Sequence, residues 1–180
     1  PESEPIRACC MDEGTPSFLH VAGGGILLPP ADLEKYLADT KTDIITSHAG
    51  CGAAKIYAGM HGIDTAKADE AGATWAKEAA EKHGLKYEHI SADRMARPAE
   101  GHFARVCYYD ITGTFDWRRG EGLPAGFTVS RKFMDSDYAL KVETLTALKT
   151  AFGDRGLGHL LDSEHPFILC AVAQEKDLDK

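Results

Sequence analysis

Apolar residues come in short runs along the first half of the chain, each closed by a turn signal. Residues 6–11 (IRACCM) form one such run, ending at Asp12-Glu13-Gly14-Thr15-Pro16, and predict a strand followed by a turn. Residues 18–22 (FLHVA) lead into Gly23-Gly24-Gly25, where a backbone without side chains can come close to a neighbour. After Pro29-Pro30, Leu33, Tyr36 and Leu37 fall at i, i+3 and i+4, the spacing of an amphipathic helix over ADLEKYLAD. Residues 43–47 (DIITS) predict a second strand. From Gly52 onward, AAKIYAGMHG and DTAKADEAGATWAKEAAEKHG are rich in helix formers, with Gly84 placed to cap the second helix.

The second half reads in the same way. KYEHIS (86–91) is a strand, and HFARVCYYDITGTFDW is a longer β-rich stretch in which Thr112-Gly113-Thr114 suggests a hairpin turn. FTVSRKF adds a strand, residues 137–152 a helix with Leu140, Val142, Leu145 and Leu148 as a partly apolar stripe, and PFILCAVA a last strand before a solvated tail. Alternating strands and helices, with early strands that are apolar throughout, predict an α/β fold with a central, mostly parallel β-sheet flanked by helices. No repeat or linker interrupts the 180 residues, so residues 1–180 are expected to form a single domain.

Composition narrows the partners more than the fold. A net charge of -8 repels phosphate backbones and anionic lipid surfaces, so nucleic-acid and membrane partners are not expected. No apolar run approaches the ~18 residues of a membrane span, and PESEPIR has no signal-peptide core; the expected compartment is the cytoplasm. Five cysteines, two of them adjacent, fit a secreted disulfide framework poorly. Cys107 and Cys170 lie in apolar strand segments and read as small buried hydrophobes.

The remaining cysteines carry chemistry. In Ser47-His48-Ala49-Gly50-Cys51-Gly52-Ala53-Ala54-Lys55 a strand ends and a helix begins, at the carboxyl edge of a parallel sheet, a preferred ligand position in open α/β folds. His48 and Cys51, three apart, can share one ion if the turn is tight, and Gly50 and Gly52 permit such a turn. The first strand delivers Cys10, followed by Asp12, to its own carboxyl end. Two such strands side by side converge Cys10, His48 and Cys51 on one point. Two thiolates and an imidazole suit Zn²⁺, and three protein ligands leave a fourth position for water, as in catalytic rather than structural sites.

These residues resemble the β-class carbonic anhydrases, including their cadmium-tolerant branch, whose zinc motifs are Cys-x-Asp-x-Arg and His-x-x-Cys. Cys10-Met11-Asp12-Glu13-Gly14 matches the first motif except at its last position, and His48-Ala49-Gly50-Cys51 matches the second in full. Phe18-Leu19-His20-Val21-Ala22-Gly23-Gly24 and Tyr109-Asp110-Ile111-Thr112-Gly113 resemble the family's other strand–turn segments, so the similarity spans about residues 6–116. It implies a zinc ion on Cys10, His48 and Cys51, with Asp12 as the catalytic carboxylate that accepts a hydrogen bond from zinc-bound water. It implies hydration of CO₂ to bicarbonate, or COS or CS₂ hydrolysis on the same site. It also implies a homodimer or higher homo-oligomer.

The departure from the motif has a physical consequence. In the family an arginine pairs with the motif aspartate and keeps it off the metal; here that position is Gly14. Asp12, without a guanidinium fork, could swing onto the ion and close the site, which would make the chain a non-catalytic zinc-binding homologue. Arg94 and Arg97 are the alternative partners for Asp12, with an ordinary surface role as the competing reading, and Glu13 has the wrong sign. An α/β protein with no metal at all is a further alternative.

Other residues have plainer readings. Side chains alternate along a strand, so Cys9 faces the core when Cys10 faces the metal. His20 reads as a partly buried strand histidine, with a proton shuttle as the alternative. His61, His83 and His89 read as solvated, Lys55 as a surface or dimer-contact charge, and His159 and His165 have no assigned chemistry. The triple glycine lacks the Lys-Ser/Thr of a phosphate loop.

Overall fold

The computed structural model describes residues 4–12, 15, 19–95, 106–116, 123–124, 126–152 and 158–174. Its strands are β1 (Arg7–Ala8), β2 (Leu19–His20), β3 (Ile44–His48), β4 (Lys86–Ile90), β5 (Val106–Asp110), β6 (Gly126–Ser130) and β7 (Ile168–Val172). Its helices are α1 (Pro30–Thr40), α2 (Gly52–Met60), α3 (Ala68–His83) and α4 (Asp137–Phe152). The fold is α/β, as the alternation of elements predicts.

All strand pairs are parallel, and they form two small sheets, ordered β1-β3-β4 and β2-β6-β5-β7. An isolated parallel bridge between Cys9 and His20 joins them where β1 and β2 lie side by side. Among the described residues, the expected central sheet is therefore built from two pieces that meet at this bridge. β1 pairs directly with β3, with Ala8 opposite Ile45, so the two strand ends that carry Cys10 and His48 are neighbours.

The helix spacing in the first half is borne out. Leu33, Tyr36 and Leu37 are all buried, Pro30 sits at the first turn of α1, and Gly84 closes α3 in a left-handed conformation at φ 67°. Two readings in the second half need correction. Thr112-Gly113-Thr114 is no hairpin turn, because β5 and β6 run parallel and need a crossover between them. The segment instead folds onto the Asp110 carboxylate, which accepts hydrogen bonds from the Thr112, Gly113 and Phe115 peptide N–H groups and from the Thr112 hydroxyl.

The stripe on α4 also differs. Its buried face is Ala139, Leu140, Glu143, Thr146, Ala147 and Ala151, while Leu145 and Leu148 are 47% and 40% exposed. Small residues let the helix lie close to its neighbours, and the larger leucines turn outward. Asp32 of α1 fixes where α4 starts. Its carboxylate accepts from the Asp135 and Ser136 peptide N–H groups at 2.7 and 3.2 Å and from the Ser136 hydroxyl at 2.6 Å. Ser136 Oγ in turn accepts from the Ala139 N–H at 3.0 Å, capping the helix. No helix among the described residues is long and apolar enough to cross a membrane.

Candidate metal centre

The carboxyl ends of β1 and β3 bring Cys10, His48 and Cys51 together. One ligand atom from each lies within 4.8 Å of the others, and all three residues are buried. The two sulfurs are 3.8 Å apart. Local chain geometry accounts for this. Gly50 adopts φ +72°, a left-handed conformation that folds the chain back between His48 and Cys51, and its N–H donates to Asp69 Oδ2 at 2.9 Å. The Ala49 N–H donates to the Ile90 carbonyl at the end of β4, holding the start of the turn to the sheet. Gly52 has no left-handed φ, so of the two glycines expected to permit the turn, Gly50 is the one it requires. Cys51 stands at the N-cap of α2.

Cys10 is held from the other side. The Thr15 hydroxyl donates to the Cys10 and Asp12 carbonyls at 3.0 and 2.8 Å, closing the turn after β1. His20 is fully buried, more so than expected, and its Nδ1 lies 2.7 Å from the Cys10 carbonyl oxygen. Cys9 is fully buried on the opposite face, as alternation along the strand requires. Its thiol is pushed up to about 11 chiefly by burial, so it stays protonated.

The proton arrangement suits a cation. The Cys10 sulfur is held well below the ordinary thiol range, first by the hydrogen bond from Cys51, against the effect of burial, and then by His48. Cys51 moves the opposite way, because its thiol donates to Cys10 and is buried. Burial pulls the His48 imidazole down, but the adjacent Cys10 sulfur, with the charge of Asp12, raises it above its usual value. The Gly23 peptide N–H also donates to Cys10 Sγ, at 3.2 Å.

His48 gives the clearest sign of a missing partner. Its Nδ1 lies 2.9 Å from the Ala49 carbonyl oxygen, which assigns the proton to Nδ1 in the neutral ring and leaves the Nε2 lone pair free. Nε2 is buried and has no hydrogen-bond partner among the described residues. A buried, unpaired imidazole nitrogen costs stability unless something fills it, and a ring nitrogen anchored to a backbone carbonyl on its other side is the usual arrangement of a metal-ligating histidine. Two sulfurs and this nitrogen fit a thiophilic divalent ion such as zinc or cadmium, and the donor set does not choose between them.

The Asp12 carboxylate is not one of the clustered ligand atoms; it is half-buried, and its charge acts on His48. Glu13, Gly14 and Arg97 lie outside the described residues. Arg94 donates to Glu88 Oε1 at 2.8 Å, and Glu88 also receives Arg7 Nε at 2.9 Å, so Arg94 is engaged on the outer face of β4. Lys55, His61 and His89 are exposed, and His83 is half-buried. His89 Nδ1 lies 2.8 Å from Ser47 Oγ, a polar contact that spacing gave no reason to expect. Cys107 is buried and pushed up to about 12 by burial, as a core thiol should be, whereas Cys170 is only half-buried.

Glu143 is the residue near this site that the sequence reading passed over. It is fully buried, and its Oε2 accepts from the Ala22 N–H at 2.8 Å. Burial pushes its carboxyl up to about 8, against the Ala22 hydrogen bond and with help from the charge of Cys10. The signal was present: Glu143 stands three residues after Leu140 and four before Ala147, on the face that packs. No family model, no curated protein and no solved structure matches the chain, so the site is read from its own geometry.

Proposed function

We propose that the chain is a zinc enzyme that hydrates CO₂ to bicarbonate. One observation carries this reading: three buried ligand atoms from two thiols and an imidazole, within 4.8 Å of one another, with a His48 Nε2 that no group among the described residues satisfies. Cys10, His48 and Cys51 would hold the ion. Zinc on such a set supplies Lewis acidity that brings water toward ionisation near neutral pH, less strongly than on three histidines because two thiolates offset its charge.

The chain's own residues have defined tasks. His48 is fixed in one tautomer by Ala49, which aims Nε2 into the cluster. Asp12, close enough for its charge to act on His48, accepts a hydrogen bond from the attacking water and so aligns the oxygen lone pair with the carbon of CO₂. Addition of the water oxygen to that carbon, with one proton passing to solvent, completes bicarbonate. COS and CS₂ present the same linear electrophilic carbon and are the alternative substrates.

A second reading follows from Asp12 itself. The Asp12 carboxylate is a further oxygen ligand close enough for its charge to act on His48. Bound to the ion, it would close the site, and the protein would bind zinc without catalysis. Elemental analysis of the purified protein followed by stopped-flow CO₂ hydration, with Cys51→Ser as reference, decides between the readings. Zinc-loaded wild type exceeding the variant across pH 7–9 supports the enzyme. Equal rates with CO₂, COS and CS₂ support the closed site, and absence of metal after zinc loading removes both.

A further inference from the structure

We infer that Glu143 is a positioning residue for the metal centre, acting through the glycine turn that supplies a hydrogen bond to Cys10. The inference rests on the metal-binding reading above and assigns a role to a residue on a different helix.

The connection is short and continuous. Glu143 Oε2 accepts from the Ala22 N–H at 2.8 Å, and the next peptide N–H in the chain, that of Gly23, donates to Cys10 Sγ at 3.2 Å. Between these two bonds lies one residue of backbone. The turn that carries them is Ala22–Gly25, and Gly23, Gly24 and Gly25 all have left-handed φ values of 57°, 72° and 106°. Consecutive glycines have the widest conformational freedom of any sequence, so their orientation must be imposed by contacts.

Contacts from both sides impose it. A Cβ at Gly24 would meet the Thr46 carbonyl oxygen at 2.7 Å and the Ala8 carbonyl oxygen at 3.1 Å, so the turn is wedged against β1 and β3. Glu143 holds the turn's first N–H. Its own position is set by α4, whose start is tied to Asp32 of α1 by three hydrogen bonds. The chain of restraint thus runs from α1 through α4 to the turn and ends on the sulfur of a proposed ligand.

Glu143 is an expensive way to hold one peptide group. Its second oxygen, Oε1, is buried without a hydrogen-bond partner among the described residues, and a buried carboxyl satisfied at one oxygen costs stability compared with an apolar side chain. The fold alone gives no reason to keep it. A role in fixing the Gly23 N–H does, because groups that hydrogen-bond to metal ligands tune affinity by about 10–100-fold.

The test is a Co²⁺ titration of the full chain, read by the sulfur-to-cobalt charge-transfer absorption and by competition with a chelator. Glu143→Met removes both oxygens at nearly constant volume and is expected to lower Co²⁺ affinity about 10-fold or more and to shift the charge-transfer band. Glu143→Gln keeps an acceptor for the Ala22 N–H and is expected to restore both to within about 3-fold of wild type. Should Glu143→Met not fold, Ala22→Pro removes the donor instead. Val21, at φ -139° and ψ 145°, already has the extended backbone that proline demands of the residue before it. A folded Glu143→Met or Ala22→Pro with wild-type affinity and an unshifted band overturns the inference and leaves the metal reading intact. Wild type that takes up no Co²⁺ removes both.

Discussion

Two places at the strand ends of this molecule gather buried polar groups, and they do so in opposite ways. At the end of β5, Asp110 is surrounded by donors: the Thr112, Gly113 and Phe115 N–H groups and the Thr112 and Ser130 hydroxyls, at 2.6–3.0 Å. Both oxygens are used, and nothing is left for a ligand. At the ends of β1 and β3, three lone-pair donors converge on one another, and Nε2 of His48 has no hydrogen-bond partner among the described residues. The same fold position therefore holds a saturated knot in one sheet and, in the other, a ligand cluster with one unsatisfied nitrogen. Saturation suits a group retained for structure, whereas convergent lone pairs with one left unpaired suit a group that could hold a cation.

The contrast can be broken by substitution. Cys51→Ser removes one of three ligands; since a four-ligand structural zinc site is worth about 10–16 kcal/mol, the loss should weaken Zn²⁺ or Co²⁺ binding by roughly 1,000-fold. Unfolding of the metal-free protein should hardly change, and chelator competition with urea denaturation measures both. Asp110→Ala should do the reverse. Its five donors lose a charged acceptor at once, which should cost about 3–5 kcal/mol in urea unfolding while metal affinity stays within about 3-fold.

Acid should separate the two places as well. Metal must displace protons from Cys51 and His48, both raised above their usual values, so affinity should fall about tenfold or more from pH 7.5 to 6.5. Burial pushes the Asp110 carboxyl up, but its hydrogen bonds outweigh this and hold it below the usual range. Its contribution is complete above the unfolded carboxylate value of about 4 and is lost only as pH falls through the lower folded value. Metal titrations and urea midpoints at several pH values check both signs. The smallest effect sharpens the comparison: Thr112→Val removes the 2.6 Å hydroxyl donor but leaves Asp110 its other partners, and should cost about 1 kcal/mol.

Much of this could be read from the sequence where a short-range pattern fixed the structure. The i, i+3, i+4 spacing of Leu33, Tyr36 and Leu37 set α1, and two cysteines and a histidine at strand ends were enough to place the cluster. The β1–β3 pairing behind that convergence follows from parallel order, which alternating elements favour. The reading failed where long-range contacts decided. Thr112-Gly113-Thr114 has the composition of a hairpin turn, but β6 arrives parallel and Asp110 takes over the turn's hydrogen bonding. On α4 the larger residues suggested a stripe through Leu145 and Leu148, whereas close packing favoured alanines and left room for Glu143. The partner of Glu143, Ala22, is 121 residues away, and no local pattern encodes such a contact.

The lone bridge between Cys9 and His20 has a consequence for how the molecule opens. Every proposed ligand lies at or just beyond the end of a strand of the three-stranded sheet, so a bound ion would rivet β1 to β3 directly and reach the neighbouring boundary with β2 only through the Gly23 N–H on Cys10 Sγ. Amide exchange should then slow more on the β1–β3 bank of that seam than on the β2 bank when metal is added, making the seam the line along which the loaded protein first comes apart.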